Sequence, residues 1–233
     1  MNPYLATLLT FAIALAFLRF MDFLAQRGFI ESKLSRKFIH IGTGPLFVLC
    51  WLLFPDAAIS RYLAALVPLL ITVQFVLVGT GIMKDEAAVQ AMTRTGNPKE
   101  ILRGPLFYGI MFVVLTIVYW KDSPIGITAL MMMCGGDGIA DIVGRRVKSP
   151  RLFWSPEKSI AGSLSVLAGG ALLTSLILFI YVSLGIFAAP FSTYIIPILW
   201  VALGSMLIES LPFKDVDNIT LTVVSALIGH LVF

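Results

Sequence analysis

Charge is scarce in this sequence. Asp, Glu, Lys and Arg make up 13% of the 233 residues, about half of the ~25% usual in a soluble domain. Cysteine is scarcer still: Cys50 and Cys134 lie far apart in apolar surroundings, with no CxxC pair and no Cys/His cluster. That excludes a zinc site and a disulfide framework, and leaves two buried reduced thiols as the expectation. The chain has no GxxxxGK[ST] stretch and hence no P-loop. It has no interleaved basic and aromatic residues, so nucleic acid is not an expected partner. Nor does it contain an internal repeat of the kind that marks inverted-repeat transporters.

What fills the sequence is apolar: 58% hydrophobic residues and a mean hydropathy of +0.95. The apolar residues come in continuous runs rather than alternating, which argues for helices and against a β-barrel. The expected class is an all-α, polytopic integral membrane protein. Runs at about 4–20, 39–54, 62–79, 105–120, 125–136, 160–184, 190–208 and 219–233 give about eight spans, or seven to eight, since the fifth and eighth are short for the ~20 residues a crossing needs. Little remains for a separate soluble domain, so residues 1–233 read as one membrane-embedded domain. Met1-Asn2-Pro3-Tyr4 carries no basic residue, and the first run is expected to be a retained anchor rather than a cleaved signal.

The segments between runs test that count. Alternate connections hold 15 and 2 of the 17 basic residues, so the rich side is read as cytoplasmic and both termini as opposite. On the rich side, residues 21–38 read as an amphipathic interfacial stretch with Phe20, Phe23, Leu24 and Phe29 among charges. Residues 80–104 hold a short helix to Met92 and a break at Gly96-Asn97-Pro98. Residues 145–158, broken by Pro150 and Pro156, read as a loop.

Polar clusters gather on the same side. The strongest is Gly135-Gly136-Asp137-Gly138-Ile139-Ala140-Asp141-Ile142-Val143-Gly144-Arg145-Arg146. In a helix, Asp137, Asp141 and Arg145 share one face, and acids beside a greasy run are costly unless they meet a metal, a partner or water. Packing glycines with an internal Asp–Arg pair are the alternative. Ser35-Arg36-Lys37-Phe38-Ile39-His40 sets Arg36 and His40 one turn apart; here the alternative is a basic anchor with a satisfied histidine. Glu157-Lys158-Ser159-Ile160-Ala161-Gly162-Ser163 opens a helix, where free N–H groups and the dipole suit an anion and Ser159 can equally be an ordinary cap. Glu209-Ser210-Leu211-Pro212 and Asp215-Val216-Asp217-Asn218 form the last cluster, with Asp217 or Asn218 open to a capping role. Arg94 and Arg103-Gly104-Pro105 are weaker, with snorkelling the simpler account, and His230 reads as structural. Carboxylates without Cys or His suit a hard cation such as Mg²⁺, and basic groups with hydroxyls suit a polyphosphate. With an apolar setting these fit phosphoryl or nucleotidyl transfer to a lipid.

These motifs also carry a resemblance. Arg36-Lys37-x-x-His40, Arg103-Gly104-Pro105-Leu106, Gly136-Asp137-Gly138-x-Ala140-Asp141-x-x-Gly144-Arg145, Glu157-Lys158-Ser159-x-Ala161-Gly162-Ser163 and Glu209-Ser210-Leu211-Pro212 with Asp217-Asn218 follow in order over residues 36 to 220. They resemble the CTP-dependent polyprenol kinases, above all the phytol kinase branch, with dolichol kinases and CTP-dependent diacylglycerol kinases more distant. The Asp-Gly-x-Ala at 137–140 also matches the start of the CDP-alcohol phosphotransferase motif, but its later glycine and acids do not follow. The resemblance implies transfer of the CTP γ-phosphate to an isoprenoid alcohol. It implies Mg²⁺ on Asp137 and Asp141, with Glu209 or Asp217 completing the shell. Lys158, Ser159, Gly162 and Ser163 would hold phosphates together with Gly138, Gly144 and Arg103, while Arg36, Lys37, Arg145 and Arg146 neutralise charge. A carboxylate or His40 would take the alcohol proton. A cytidylyltransferase similar to CDP-diacylglycerol synthases, a CTP-dependent diacylglycerol kinase and a non-enzymatic transporter are the alternatives.

Overall fold

Inside a bilayer every backbone N–H and C=O must find its partner within the chain, and the apolar runs meet that demand as helices. The computed structural model describes residues 1–233 apart from 94, 214 and 215, and gives only the backbone of residues 32 and 33. The readings of Arg94, Lys214 and Asp215 therefore lie outside the described residues. The chain divides into two compact units, Met1–Ile117 and Val118–Phe233.

The first unit holds α1 (Pro3–Gln26), α2 (Ser32–Cys50), a 3₁₀ turn (Trp51–Leu53), α3 (Ser60–Gly79), the short α4 (Glu86–Met92), a second 3₁₀ turn (Pro98–Leu102) and most of α5 (Gly104–Tyr119). Asn2 caps α1 by accepting from the Tyr4 N–H at 2.9 Å, with Pro3 at the first helical position, where its missing donor costs nothing. The interfacial stretch expected at 21–38 is not a separate element. Phe20, Phe23 and Leu24 continue the helical spacing of α1 without a breaker until Gly28, whose φ of 75° suits glycine and turns the chain. The short helix to Met92 and the break before Pro98 are both present, the latter capped by Asn97 accepting from Lys99 N–H. Phe75, Val78 and Ile101 form a buried cluster here, with Ile71, Met83, Val89 and Met92 packed on it.

The second unit begins at the end of α5 and continues with α6 (Pro124–Met131), a π-helical segment (Met132–Asp137), α7 (Gly138–Arg146), a hairpin of β1 (Arg151–Leu152) and β2 (Ser155–Ser159), α8 (Ile160–Ser183), α9 (Ser192–Glu209) and α10 (Asp217–Val232). The fifth apolar run, short in sequence, is lengthened because α6, the π segment and α7 join into one helical stretch, Pro124–Arg146. The loop expected at 145–158 is instead the antiparallel hairpin, with Leu152 facing Ser155 across the two-residue tip Phe153-Trp154. A two-stranded ladder tolerates Pro156 because both strands are edges. Ile127, Leu130, Met131, Met132, Met133, Ile177, Leu178, Tyr181, Ile198 and Leu221 are wholly buried.

Among the described residues, six helical stretches are long and apolar enough to cross a membrane, and α10 is a shorter apolar helix. α2 is too basic in its first turns to join the six. Six hydroxyls along these helices turn back to the backbone: Thr10, Thr72, Thr116, Thr128, Ser205 and Ser225 each donate to the carbonyl four residues back, whereas the buried Thr174 hydroxyl of α8 has no partner among the described residues.

Candidate active site

Glycines bring the motif helix against α8. A Cβ on Gly135 would lie 2.8 Å from the Gly169 carbonyl oxygen, and one on Gly169 would lie 2.7 Å from the Gly135 oxygen. About half a turn beyond α7's midpoint, Gly144 meets Gly162, where added Cβ atoms would stand 3.6 and 3.4 Å from the opposite Cα. Close backbone approach to a neighbouring helix thus explains these glycines. The π segment ends at Asp137, and such segments insert an extra residue per turn and recur at functional sites.

Asp137 stands at that junction with Glu209, the last residue of α9, and Asp217, the first of α10. One carboxylate oxygen from each lies within 4.8 Å of the others. Glu209 is buried, and Asp137 and Asp217 are half-buried. An octahedral Mg²⁺ shell at ~2.1 Å spans ~4.2 Å between opposite oxygens, and Ca²⁺ at ~2.3–2.6 Å spans ~4.6–5.2 Å. Three acidic oxygens at this separation, without nitrogen or sulfur, fit a hard divalent cation. Capping does not account for Asp217, because the N-cap position of α10 is Val216.

Lys158 supplies the cation now present among the acids. Its Nζ donates to Glu209 Oε1 at 2.8 Å and to the Glu209 carbonyl oxygen. Trp154, at the hairpin tip, donates from Nε1 to the Ser210 carbonyl at 3.0 Å and faces its Oγ at 3.3 Å. The hairpin therefore holds the end of α9 through two of its last carbonyls, groups with no partner inside the helix, and fixes Glu209 in place. Sequence reading found Lys158 but missed Trp154. The one available signal was an aromatic pair, Phe153-Trp154, inside a polar, proline-flanked stretch.

Asp141 lies one turn past Asp137, outside the three-acid group, and accepts from Arg145 Nε at 2.8 Å. Arg145 and Arg146 are exposed at the end of α7, and Gly138 is buried at its start. At α8 the N-terminal donors are already satisfied. Ile160 N–H donates to the Pro150 carbonyl at 3.0 Å, Ala161 N–H to Ser149 Oγ at 3.0 Å and Gly162 N–H to Ser159 Oγ at 3.2 Å. Ser159 is thus the cap that sequence left open, and the N–H cradle expected for phosphate is filled by protein. Ser163 is half-buried in the first turn.

The remaining candidates belong to the first unit. Arg36, Lys37 and His40 lie on α2, all half-buried, with the His40 ring tilted against Tyr108 at 4.4 Å between centroids, and the Tyr108 hydroxyl donating to the His40 carbonyl at 2.7 Å. Arg103 is exposed between the second 3₁₀ turn and α5. His230 pairs with the Tyr119 hydroxyl at 2.9 Å, a structural role as expected. Cys50 and Cys134 are buried thiols outside any disulfide.

Comparison with known proteins gives consistent relatives. The chain is 43% identical over 230 residues to a protein of Oryza sativa subsp. japonica named probable phytol kinase 1, chloroplastic, covering 98% of this chain and 73% of that one. It is 38% identical over 225 residues to phytol kinase 1, chloroplastic, of Arabidopsis thaliana, covering 96% and 73%. It is also 38% identical over 226 residues to farnesol kinase, chloroplastic, of the same plant, again covering 96% and 73%. No family model matches, and no solved structure matches.

Proposed function

The chain belongs to the phytol kinase family, and on that premise we propose that it is a membrane-embedded kinase moving the γ-phosphate of CTP to an isoprenoid alcohol. The products are the alcohol monophosphate and CDP, and Mg²⁺ is the cofactor. Residues 1–233 act as one kinase domain, working at the basic-rich face, read as cytoplasmic with both termini opposite. The observation that carries the reading is the group of Asp137, Glu209 and Asp217, with Lys158 of the hairpin beside it, on three apolar helical stretches.

Asp137, Glu209 and Asp217 would hold the Mg²⁺, which supplies charge neutralisation at the terminal phosphates. Asp141, one turn along α7, keeps Arg145 oriented toward the same polar end. Lys158 has its ammonium at the group and is the phosphate contact nearest to it in the second unit, assisted by Arg145, Arg146 and the Ser163 hydroxyl. Ser159, Gly144 and Gly162 act by shaping the α7–α8 contact rather than by touching phosphate, while Gly138 enters from the sequence motif. Arg36, Lys37, His40 and Arg103 enter from the sequence motifs. In the reaction the alcohol oxygen bonds to the γ-phosphorus and the bond from that phosphorus to the β–γ bridging oxygen breaks. The alcohol proton passes to a carboxylate or to His40, and CDP leaves. Phosphoryl transfer is mostly positioning and charge stabilisation, so a weak base suffices.

CTP labelled separately at the α and γ phosphates tests this, offered with phytol, farnesol, geranylgeraniol or diacylglycerol to the purified protein. A γ-labelled isoprenoid monophosphate is expected. A lipid carrying α label and cytidine overturns the reading in favour of nucleotidyl transfer, and labelled phosphatidate from diacylglycerol alone overturns the choice of alcohol.

A further inference from the structure

An open-sided groove of about 480 Å³ lies in the second unit, lined by Trp154, Gly204, Leu207, Ile208, Ser210, Leu211 and Val224. Its volume is within the ~300–1,000 Å³ typical of small-ligand sites. Gly204, Leu207 and Ile208 stand at the three- and four-residue steps that form a single face of α9, and Leu211, two residues past its end, continues the spacing. They make a stripe ~10 Å long at 1.5 Å per residue. Nothing in the lining is charged. Its polar atoms gather at one end, where Trp154 Nε1 is already tied to Ser210.

That end is also where the acids are. Ser210 follows Glu209 directly in the chain, and Trp154 sits on the hairpin that carries Lys158. On α10, Val224 lies seven residues after Asp217, two turns along and on the same face. The groove thus runs along the α9–α10 seam from the Ser210 end, next in the chain to Glu209, and is open on the side of the exposed Leu207. Gly204 brings the two helices close at its floor, where a Cβ would stand 2.0 Å from Ile228 Cδ1. Behind it, Ser205 and Ser225 join the same helices by a buried 2.8 Å hydrogen bond, keeping the seam fixed.

We infer that this groove is the binding site for the hydrocarbon chain of the acceptor alcohol, with the hydroxyl at the Ser210 end and the chain along Leu207, Gly204 and Val224. The assignment rests on the kinase reading above and adds to it the residues that read chain length. Trp154 joins the two functions: its ring covers the groove while its hairpin holds Lys158 to Glu209. Ordinary bilayer lipid lying in the same seam is the rival occupant, and it predicts no dependence of catalysis on the groove.

The test compares a long isoprenoid alcohol (phytol) with a short one (prenol) in wild type and in Leu207→Trp and Val224→Trp, which fill the groove. KM for phytol should rise about tenfold or more in the filled variants, while KM for prenol and for CTP stays unchanged. In parallel, wild-type protein is irradiated with a phytol analogue carrying a diazirine on its tail, and the labelled peptides are mapped. Label on 204–211 or 224, competed by free phytol, is expected. An unchanged phytol KM in folded variants, or label elsewhere, overturns the groove while leaving the kinase reading intact. Wild type that phosphorylates neither alcohol overturns the kinase reading itself, whereas phytol-competed label on the groove still supports the site.

Discussion

Three carboxylates held within 4.8 Å of one another should make this protein bind and be stabilised by a divalent cation, whether or not it turns over. Each pair of unit charges at that distance repels by ~3.5 kcal/mol at an effective dielectric of ~20, or ~10 kcal/mol for three pairs, a ceiling that solvent around Asp137 and Asp217 lowers. Lys158 at 2.8 Å offsets ~6 kcal/mol through Glu209 alone. With all three acids ionised, the group carries two net negative charges, which a dication neutralises. At Mg²⁺ a hundredfold above its Kd, binding stabilises the fold by ~2.7 kcal/mol. At ~2–4 °C per kcal/mol for a chain of this size, the unfolding midpoint should rise by ~5–10 °C. Asp137→Asn removes one ligand and one charge. If affinity falls ~100-fold, the same Mg²⁺ concentration gives RT ln 2, ~0.4 kcal/mol, and a shift of ~1 °C. Thermal unfolding of the purified protein with Mg²⁺, against Na⁺ at equal ionic strength, reads both numbers without any turnover. A wild type that ignores Mg²⁺, or an Asp137→Asn variant that keeps the full shift, would refute the metal assignment.

Other substitutions separate the roles of neighbouring residues. Asp141→Asn should keep the full Mg²⁺ shift and change the midpoint by 2 °C or less, since an exposed i,i+4 pair with Arg145 contributes only ~0.3–0.5 kcal/mol; loss of the Mg²⁺ response would place Asp141 among the ligands. Lys158→Met leaves Glu209 buried without its cation and should cost ~3–5 kcal/mol, whereas Lys158→Met with Glu209→Gln should recover most of that midpoint and none of the activity. Gly169→Ala drives a Cβ to 2.7 Å from the Gly135 carbonyl and should destabilise by ~1–3 kcal/mol, read as a lower midpoint or lost monodispersity in detergent. Trp154→Phe keeps the ring but not the Nε1 donor to Ser210, and should cost ~1 kcal/mol, with a larger relative loss of kcat if the hairpin positions Lys158.

Much of the fold was legible because a bilayer leaves few options. Continuous apolar runs can only be helices, so α1, α3, α5, α8 and α9 fall where hydropathy places them. The misses share one cause, which is that hydropathy reports burial in lipid and not backbone geometry. Arg27 and its neighbours looked interfacial, yet α1 runs on to Gln26 because aromatic residues keep helical spacing whatever charges lie between them. The 145–158 stretch looked like a loop because of its prolines, yet Pro150 precedes the hairpin and Pro156 sits on an edge strand that accommodates it. The π segment has no composition of its own and was invisible.

At the site, cost and spacing point to different acids. Asp137 and Glu209 stood out because an acid at the end of a greasy run demands a reason, and both lie in the three-acid group. The i,i+4 spacing of Asp137 and Asp141 invited a shared role, but the same spacing sets Asp141 against Arg145, and the structure pairs those two at 2.8 Å. Local periodicity fixes which residues share a face; it does not say which of two partners on that face a carboxylate takes. Asp217 gave the converse difficulty, since an acid opening a helix is ordinary and only the arrival of α7 and α9 at the same point makes it a candidate ligand. That arrival depends on Gly135, Gly144, Gly162 and Gly169, which let α8 approach the motif helix so closely. The glycines are accordingly part of the catalytic argument without touching any substrate: they set the distance at which one helix start and two helix ends can share a cation.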